Sequence, residues 1–274
     1  MTTLVLGGTG KTGRRVAQRL TARGVPVRIG SRSGEPPFEW HDPASWAPAL
    51  EGIRAAYVVY HPDLAMPEAR AAIGSFAELA VDRGVRRLVL LSGRGEQGAL
   101  ASERALQDAG GDWTVVRASW FSQNFSEDYL LEPVLDGRIV LPAGEVEEPF
   151  VDADDIADVA VAALTGQGHA GRVYEVTGPR LLTFADAAAE ISKATGRHIE
   201  YVPVSPEEYA ATAAGHGVPA ELATFLTELF TEVLDGRNAH LTDGVQRALG
   251  RQPRDFRDFA RDTAATGVWE DRRP

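Results

Sequence analysis

The stretch LVLGGTGKTGRR, Leu4 to Arg15, carries parts of two phosphate-binding signatures. Gly10-Lys11-Thr12 is the tail of a P-loop, GxxxxGK[ST], and Gly8-x-Gly10-x-x-Gly13 is a dinucleotide fingerprint. Spacing separates them. A P-loop needs its first glycine five residues before Gly10, and Val5 stands there, inside an apolar run. Such a loop is too short to wrap a triphosphate in successive backbone N–H groups. The dinucleotide pattern is complete and correctly flanked: Thr3 to Leu6 reads as a buried strand, and Lys11 to Arg23 as a helix with Val16 and Leu20 four apart, ended by Gly24. Gly8 is expected to make the tight turn, Gly10 to let a pyrophosphate reach the backbone, and Gly13 to let the helix pack on the strand. Gly7, Gly8, Thr9, Gly10, Lys11, Thr12 and Gly13 together form the expected phosphate cradle.

Outward from this loop, strands and helices alternate. Val25–Ser31, a short Phe38–Glu39, Ala55–Tyr60, Arg87–Ser92 and Trp113–Arg117 read as strands. Ser45–Leu50, Pro67–Arg83 and Ala99–Ala109 read as helical segments between them. Leu88 to Leu91 is continuously apolar, as in a parallel strand buried on both faces. This rhythm predicts an α/β fold, a doubly wound parallel (Rossmann) sheet binding ligands at the C-terminal strand ends. Beyond Ser119 the rhythm loosens. Glu127–Leu135, Asp154–Leu164 and Phe184–Thr195 read as helices, Arg172–Val176 and Ile199–Val202 as strands. Leu222, Phe225, Leu226, Leu229 and Phe230 form an apolar stripe suited to core or a subunit contact. The expected division is residues 1–150 as a dinucleotide-binding domain, with the strand near 172–176 returning to its sheet. Residues 151–274 make a smaller, mostly helical substrate-side domain.

Composition narrows the partners. The net charge of −11 argues against nucleic acid or an anionic membrane surface. No apolar run approaches the roughly 20 residues of a membrane span, and no leader-like segment precedes the first strand. The absence of cysteine excludes disulfides and thiolate metal sites, so a cytoplasmic protein is expected, monomer or homodimer. Asp152, Asp154, Asp155 and Asp158 suggest a metal, but they start a helix, where carboxylates cap free N–H groups and favour the dipole. No metal is expected there.

The order of motifs is also informative: GGTGKTG at the first turn, RIGSRS closing the second strand, DPASWAPALEG before AAYVVY, LVLLSG, WTVVRASWFSQNF and PFVDADDIADVA. From about Thr3 to about Trp269 the chain resembles the NmrA-like family, a branch of the atypical short-chain dehydrogenase/reductases. That family includes NADPH-dependent quinone reductases, isoflavone-type and benzylic ether reductases, and nucleotide-binding regulators without chemistry. The resemblance implies NADPH/NADP as cofactor. Charge agrees. NAD-preferring sites place an acid at the end of the second strand, whereas this chain has Ser31-Arg32-Ser33. Arg32 could grip a 2′-phosphate in bidentate fashion, with Ser31 and Ser33 donating and Lys11 adding a cation. The resemblance places Asp42 beside the adenine, while capping the Ser45–Leu50 segment is the other reading.

The usual proton donor is missing. Four residues after the six tyrosines stand His61, Leu64, Pro133, Gly178, Ser205 and Ala213, so no Tyr-x-x-x-Lys pair exists. The lysine of isoflavone-type reductases, on the helix after the LVLLSG-like strand, is absent too. Ser92, where the wider family has its catalytic serine, either hydrogen-bonds a substrate oxygen or merely closes the strand. His61 is either an acid suited to neutral pH or a loop residue. The resemblance assigns Asn124 to substrate contact or segment orientation. Tyr60, Trp120, Phe121 and Tyr129 could form a flat apolar pocket or belong to the core.

Magnitude then selects the substrate. Hydride addition to an ordinary ketone makes an alkoxide with conjugate-acid pKa about 16, whereas a quinone gives a phenolate near about 10. A gap of roughly 6 units is about 8 kcal/mol, felt in part by the barrier. The expected activity is therefore NADPH-dependent reduction of a quinone or an aromatic or polycyclic ketone. The alternative is a non-catalytic, redox-sensing regulator that binds NADP(H).

Overall fold

The computed structural model describes residues 2–215, 227 and 230–270. The chain divides into two compact units, each discontinuous in sequence. The first comprises Met1–Ala118, Ala153–Val176 and Thr242–Gln252; the second comprises Ser119–Asp152, Thr177–Leu241 and Pro253–Pro274. The boundary expected at residue 150 is thus one of sequence rather than packing. Helix Ala153–Thr165 and strand Arg172–Val176 belong with the sheet, and a later segment returns to it.

In the first unit the strands β1 (Thr2–Leu6), β2 (Val27–Gly30), β3 (Ile53–Val58), β4 (Arg87–Gly93), β5 (Asp112–Ala118) and β8 (Arg172–Val176) form one sheet, in the order β2-β1-β3-β4-β5-β8. Every adjacent pair is parallel. Strand order reverses beside β1, so the crevice rule places a ligand site at its C-terminal end, where the glycine loop begins. Helix α1 (Lys11–Ala22) packs with α7 (Ala153–Thr165), and α3 (Ala69–Asp82) with α4 (Gln97–Asp108). Leu4 and Leu6 join the core under α3, together with Ile73 and Phe76.

Phe38–Glu39 is not a strand. Phe38 instead packs edge-on against Trp40 and Phe76, at 5.1 and 5.7 Å between ring centroids. Burying a ring in this cluster outweighs β-pairing over two residues. Tyr60 lies in the same cluster, 4% exposed and 5.0 Å from Trp40. The sequence left it between a substrate wall and the core; packing makes it core.

The second unit contains more strand than expected. β6 (Arg138–Leu141) runs parallel to β10 (Glu200–Pro203), and β7 (Glu147–Glu148) antiparallel to β9 (Leu182–Thr183). The helix expected over Glu127–Leu135 breaks into α5 (Asn124–Glu127) and α6 (Leu131–Asp136), with Asp128 extended between them. Helix α8 (Phe184–Thr195) begins on a capping box: the Thr183 hydroxyl accepts from the Asp186 N–H, and the Asp186 carboxylate accepts from the Thr183 N–H. The core is aromatic, with Phe125 and Phe150 in contact with each other and each with both Phe184 and Phe256. Of the apolar stripe, Phe230 is buried in this core; Leu222, Phe225, Leu226 and Leu229 lie outside the described residues.

Candidate functional site

The loop after β1 is built by close approach. Gly7, not Gly8, has the left-handed conformation, with φ +61°. Gly8 is needed for another reason: a Cβ there would lie 2.7 Å from the Ile29 side chain. A Cβ on Gly13 would come to 2.1 Å from the Gly7 carbonyl oxygen, so only glycine lets α1 start so near the loop. Gly10 is the N-cap of α1 and provides no capping side chain. Exposed Thr9 and Gly10 and half-buried Lys11 surround the positive end of the α1 dipole. Such a cradle fits a pyrophosphate. Thr12 is buried, facing Tyr57 beneath the loop, where burial pushes the tyrosine hydroxyl's pKa far up and Thr12 opposes the shift.

At the end of β2 the Arg32 side chain is 86% exposed, its ion-pair partner being Glu39 at 3.9 Å. The Ser31 and Ser33 hydroxyls lie 3.4 Å apart beside it. These residues fit a phosphate on the adenosine ribose. Asp42 takes the capping role: its Oδ1 accepts from the Ala44 N–H at 3.1 Å and starts the turn Pro43–Ser45. That turn leads into α2 (Trp46–Ala49).

The end of β4 holds what the sequence reading missed. Ser92 Oγ donates to Glu103 Oε1 at 2.6 Å. Glu103 is 2% exposed, on the inner side of α4. Arg117, opposite Ser92 in the β4–β5 register, clasps both Glu103 oxygens and reaches Glu175 Oε1 at 2.6 Å. Buried Arg94 approaches Glu175 at 3.7 Å. The hydrogen bond to Glu103 is the largest cause pushing the Arg117 guanidinium above its already high pKa. An ionised carboxylate only accepts, so the Ser92 hydrogen points inward to Glu103. As folded, Ser92 is not a free donor for a substrate oxygen. The sequence held one signal: Glu103 falls four residues after Ala99 and three before Leu106, on the apolar face of its helix.

His61 is exposed in the turn that follows β3. Four groups expected to meet substrate lie in the second unit. The Trp120 ring packs 5.9 Å from Phe184 and 5.6 Å from Phe230. Tyr129, 37% exposed, stands 6.1 Å from Phe230, and Tyr209 approaches the same ring at 5.3 Å. Desolvation, then Asp128, push the Tyr129 hydroxyl well above its ordinary pKa. Half-buried Phe121 bridges to Val151 through its backbone, and Asn124 opens α5 with its N–H on the Phe121 carbonyl. Trp120 and Tyr129 thus present an aromatic surface; Phe121 and Asn124 also shape the chain that carries it.

The aspartates at α7 are tied up by arginines. Arg19 binds Asp154 and Asp158, and Arg251 binds Asp155 and Asp158 at 2.7 and 2.6 Å. Asp152 accepts from Gln123 Nε2 at 2.8 Å. Among the described residues no group of three or more His, Cys, Asp or Glu is arranged to hold a metal.

No family model matches the chain. Individual proteins do. It is 34% identical to agroclavine dehydrogenase from Claviceps fusiformis, over 98% of this chain and 99% of that protein. It is 32% identical to the NAD(P)H azoreductase of Xenophilus azovorans, over 96% and 98%. Among solved structures, the triphenylmethane reductase of Citrobacter sp. complexed with NADP(H) superposes with a TM-score of 0.78 at 22% identity, covering 96% of this chain and 100% of that one.

Proposed function

This chain belongs to the NmrA-like family of atypical short-chain dehydrogenase/reductases and is an NADP-binding oxidoreductase, and we propose that it reduces a quinone or an aromatic or polycyclic ketone with NADPH. The glycine loop from Gly7 to Gly13 and the α1 N-terminus would hold the pyrophosphate, and Ser31, Arg32 and Ser33 the 2′-phosphate. When bound, NADPH supplies the hydride.

The observation that carries the substrate reading is the Ser92–Glu103 hydrogen bond. Turning Ser92 toward a developing oxyanion would break a 2.6 Å bond to a carboxylate, an interaction of about 1.5–3 kcal/mol. With neither a free serine donor nor a Tyr-x-x-x-Lys pair, the chain favours acceptors whose reduced anion is weakly basic. Quinones meet that condition, as do aromatic ketones with a neighbouring phenol.

The test is NADPH oxidation against a panel of quinones, polycyclic aromatic ketones and simple alkyl ketones. Turnover is expected with the first two and at least tenfold less with the third. Equal turnover on alkyl ketones would contradict the reading, because it requires a proton donor that neither Ser92, turned to Glu103, nor a Tyr-x-x-x-Lys pair supplies.

A further inference from the structure

Beside Arg32 stands an acid that the cofactor site has not yet used. The Glu39 carboxylate lies 3.9 Å from Arg32 Nε, on a side chain that is 38% exposed. The backbone fixes its place. The Glu39 N–H donates to Ser45 Oγ at 3.0 Å, and the Glu39 carbonyl accepts from Trp46 Nε1 at 2.9 Å. The Ser45 hydroxyl donates to the Asp42 carbonyl at 2.6 Å, and the buried Trp46 ring packs against Trp40 and Phe76. One residue earlier, the Phe38 N–H donates to the Ser31 carbonyl at 2.9 Å. These bonds fold the loop back onto the end of β2 and keep Glu39 next to Arg32.

An exposed ion pair contributes little to stability. This one matters for where it stands. NAD-preferring sites carry an acid at the end of the second strand. Here Ser31 follows β2 directly, and the loop returns an acid to the same place in space. A phosphate monoester carries a charge of about −1.5 to −2 near neutral pH. Seated on Arg32, it comes well inside the screening length of about 8 Å from the Glu39 carboxylate, and the like charges repel. A ribose that bears only a hydroxyl meets no such repulsion.

We propose that Glu39 is a specificity-determining residue of the cofactor site. Its charge competes with the 2′-phosphate for Arg32 and holds the preference for NADPH over NADH below the value Arg32 alone would give. This rests on the assignment of Ser31, Arg32 and Ser33 to the 2′-phosphate. Glu39 acts through charge at Arg32, so its effect falls on cofactor binding and not on the hydride step. The carboxylate is partly exposed and can turn toward water, which limits the effect to about threefold to tenfold.

Calorimetric titration of the full chain tests it, with NADPH, NADH, adenosine 2′,5′-bisphosphate and adenosine 5′-monophosphate as ligands and circular dichroism melts to show that each variant folds. Glu39→Gln should tighten NADPH and the bisphosphate at least about threefold, and leave NADH and the monophosphate within about twofold. Glu39→Lys should widen that gap to about tenfold or more, and it decides alone if the glutamine variant does not fold. Glu35, exposed in the same loop and in no ion pair among the described residues, is the control. Glu35→Gln should leave the NADPH-to-NADH ratio within about twofold, and salt at about 0.5 M should shrink the Glu39→Gln gain below about twofold. An unchanged ratio in Glu39→Gln would overturn the proposal. So would an equal rise in Glu35→Gln, which would make net charge the cause, or equal tightening of all four ligands, which would mark a rearranged loop. Arg32→Ala separates the two claims. If it lowers the ratio while Glu39→Gln leaves it unchanged, only the role of Glu39 falls; if neither moves it, the phosphate does not sit at Arg32 and both fall.

Discussion

Arg32 and Arg117 stand near the C-terminal ends of two strands of one sheet and are held in opposite ways. Arg32 is 86% exposed, with a single acidic partner among the described residues, Glu39 at 3.9 Å. Arg117 is 19% exposed, clasps Glu103 through both oxygens and binds Glu175 as well. An arginine so loosely held can exchange its neighbour for a phosphate at little cost. An arginine saturated by two carboxylates is part of the architecture. The same side chain is therefore left open to a ligand at one strand end and fixes the protein at another; what distinguishes them is the supply of carboxylate partners.

Substitutions can break this contrast. The largest effect is expected from Arg117→Ala, which leaves Glu103 buried without its cation. About 3–5 kcal/mol of stability should be lost in urea unfolding, and Arg117→Met with Glu103→Leu should recover most of it, since an apolar pair carries no desolvation cost. Arg32→Ala should leave stability within about 0.5 kcal/mol of wild type. It should, however, erase a tenfold or greater preference for NADPH over NADH, about 1.4 kcal/mol, in cofactor titrations. An unchanged ratio would show that Arg32 does not meet the 2′-phosphate. His61→Ala should alter turnover less than about tenfold, below the range of a general acid.

The smallest effect sharpens the contrast from the second unit. There Arg180 binds Asp255 and holds its carboxyl below the usual range, while Asp255 also caps the helix Phe256–Ala264. A depressed folded pKa gives stability that is present above the unfolded value near about 4 and is lost as pH falls below it. Asp255→Asn should therefore flatten the acid limb of a Tm-against-pH curve below about pH 4, with the cap retained by the amide.

Much of the fold was legible because it rests on local signals. The β1–α1 unit, the apolar β4 and the helix α8 each specify themselves within a dozen residues. What escaped depends on contacts distant in sequence. Phe38 and Tyr60 are drawn into a core with Trp40 and Phe76, where ring packing overrides strand propensity and surface exposure. At the site the glycine loop was readable, yet the tight turn expected at Gly8 falls at Gly7, since only the backbone shows which of two adjacent glycines takes positive φ. The Ser92–Glu103–Arg117–Glu175 chain was hidden, because its members come from β4, α4, β5 and β8 and converge only through parallel register. A glutamate on the inner face of a helix was its one trace.

The central claim is that this reductase delivers hydride without a proton donated by the protein, Ser92 being turned to Glu103. Steady-state NADPH oxidation by Ser92→Ala, with a quinone as acceptor and folding verified by its melt, tests that most directly. Turnover should stay within about tenfold of wild type, the protein losing stability instead from the missing hydrogen bond. A fall of 10²–10⁴, the range of a positioned acid, would show that the serine gives its hydrogen to the substrate oxygen, and would contradict the account.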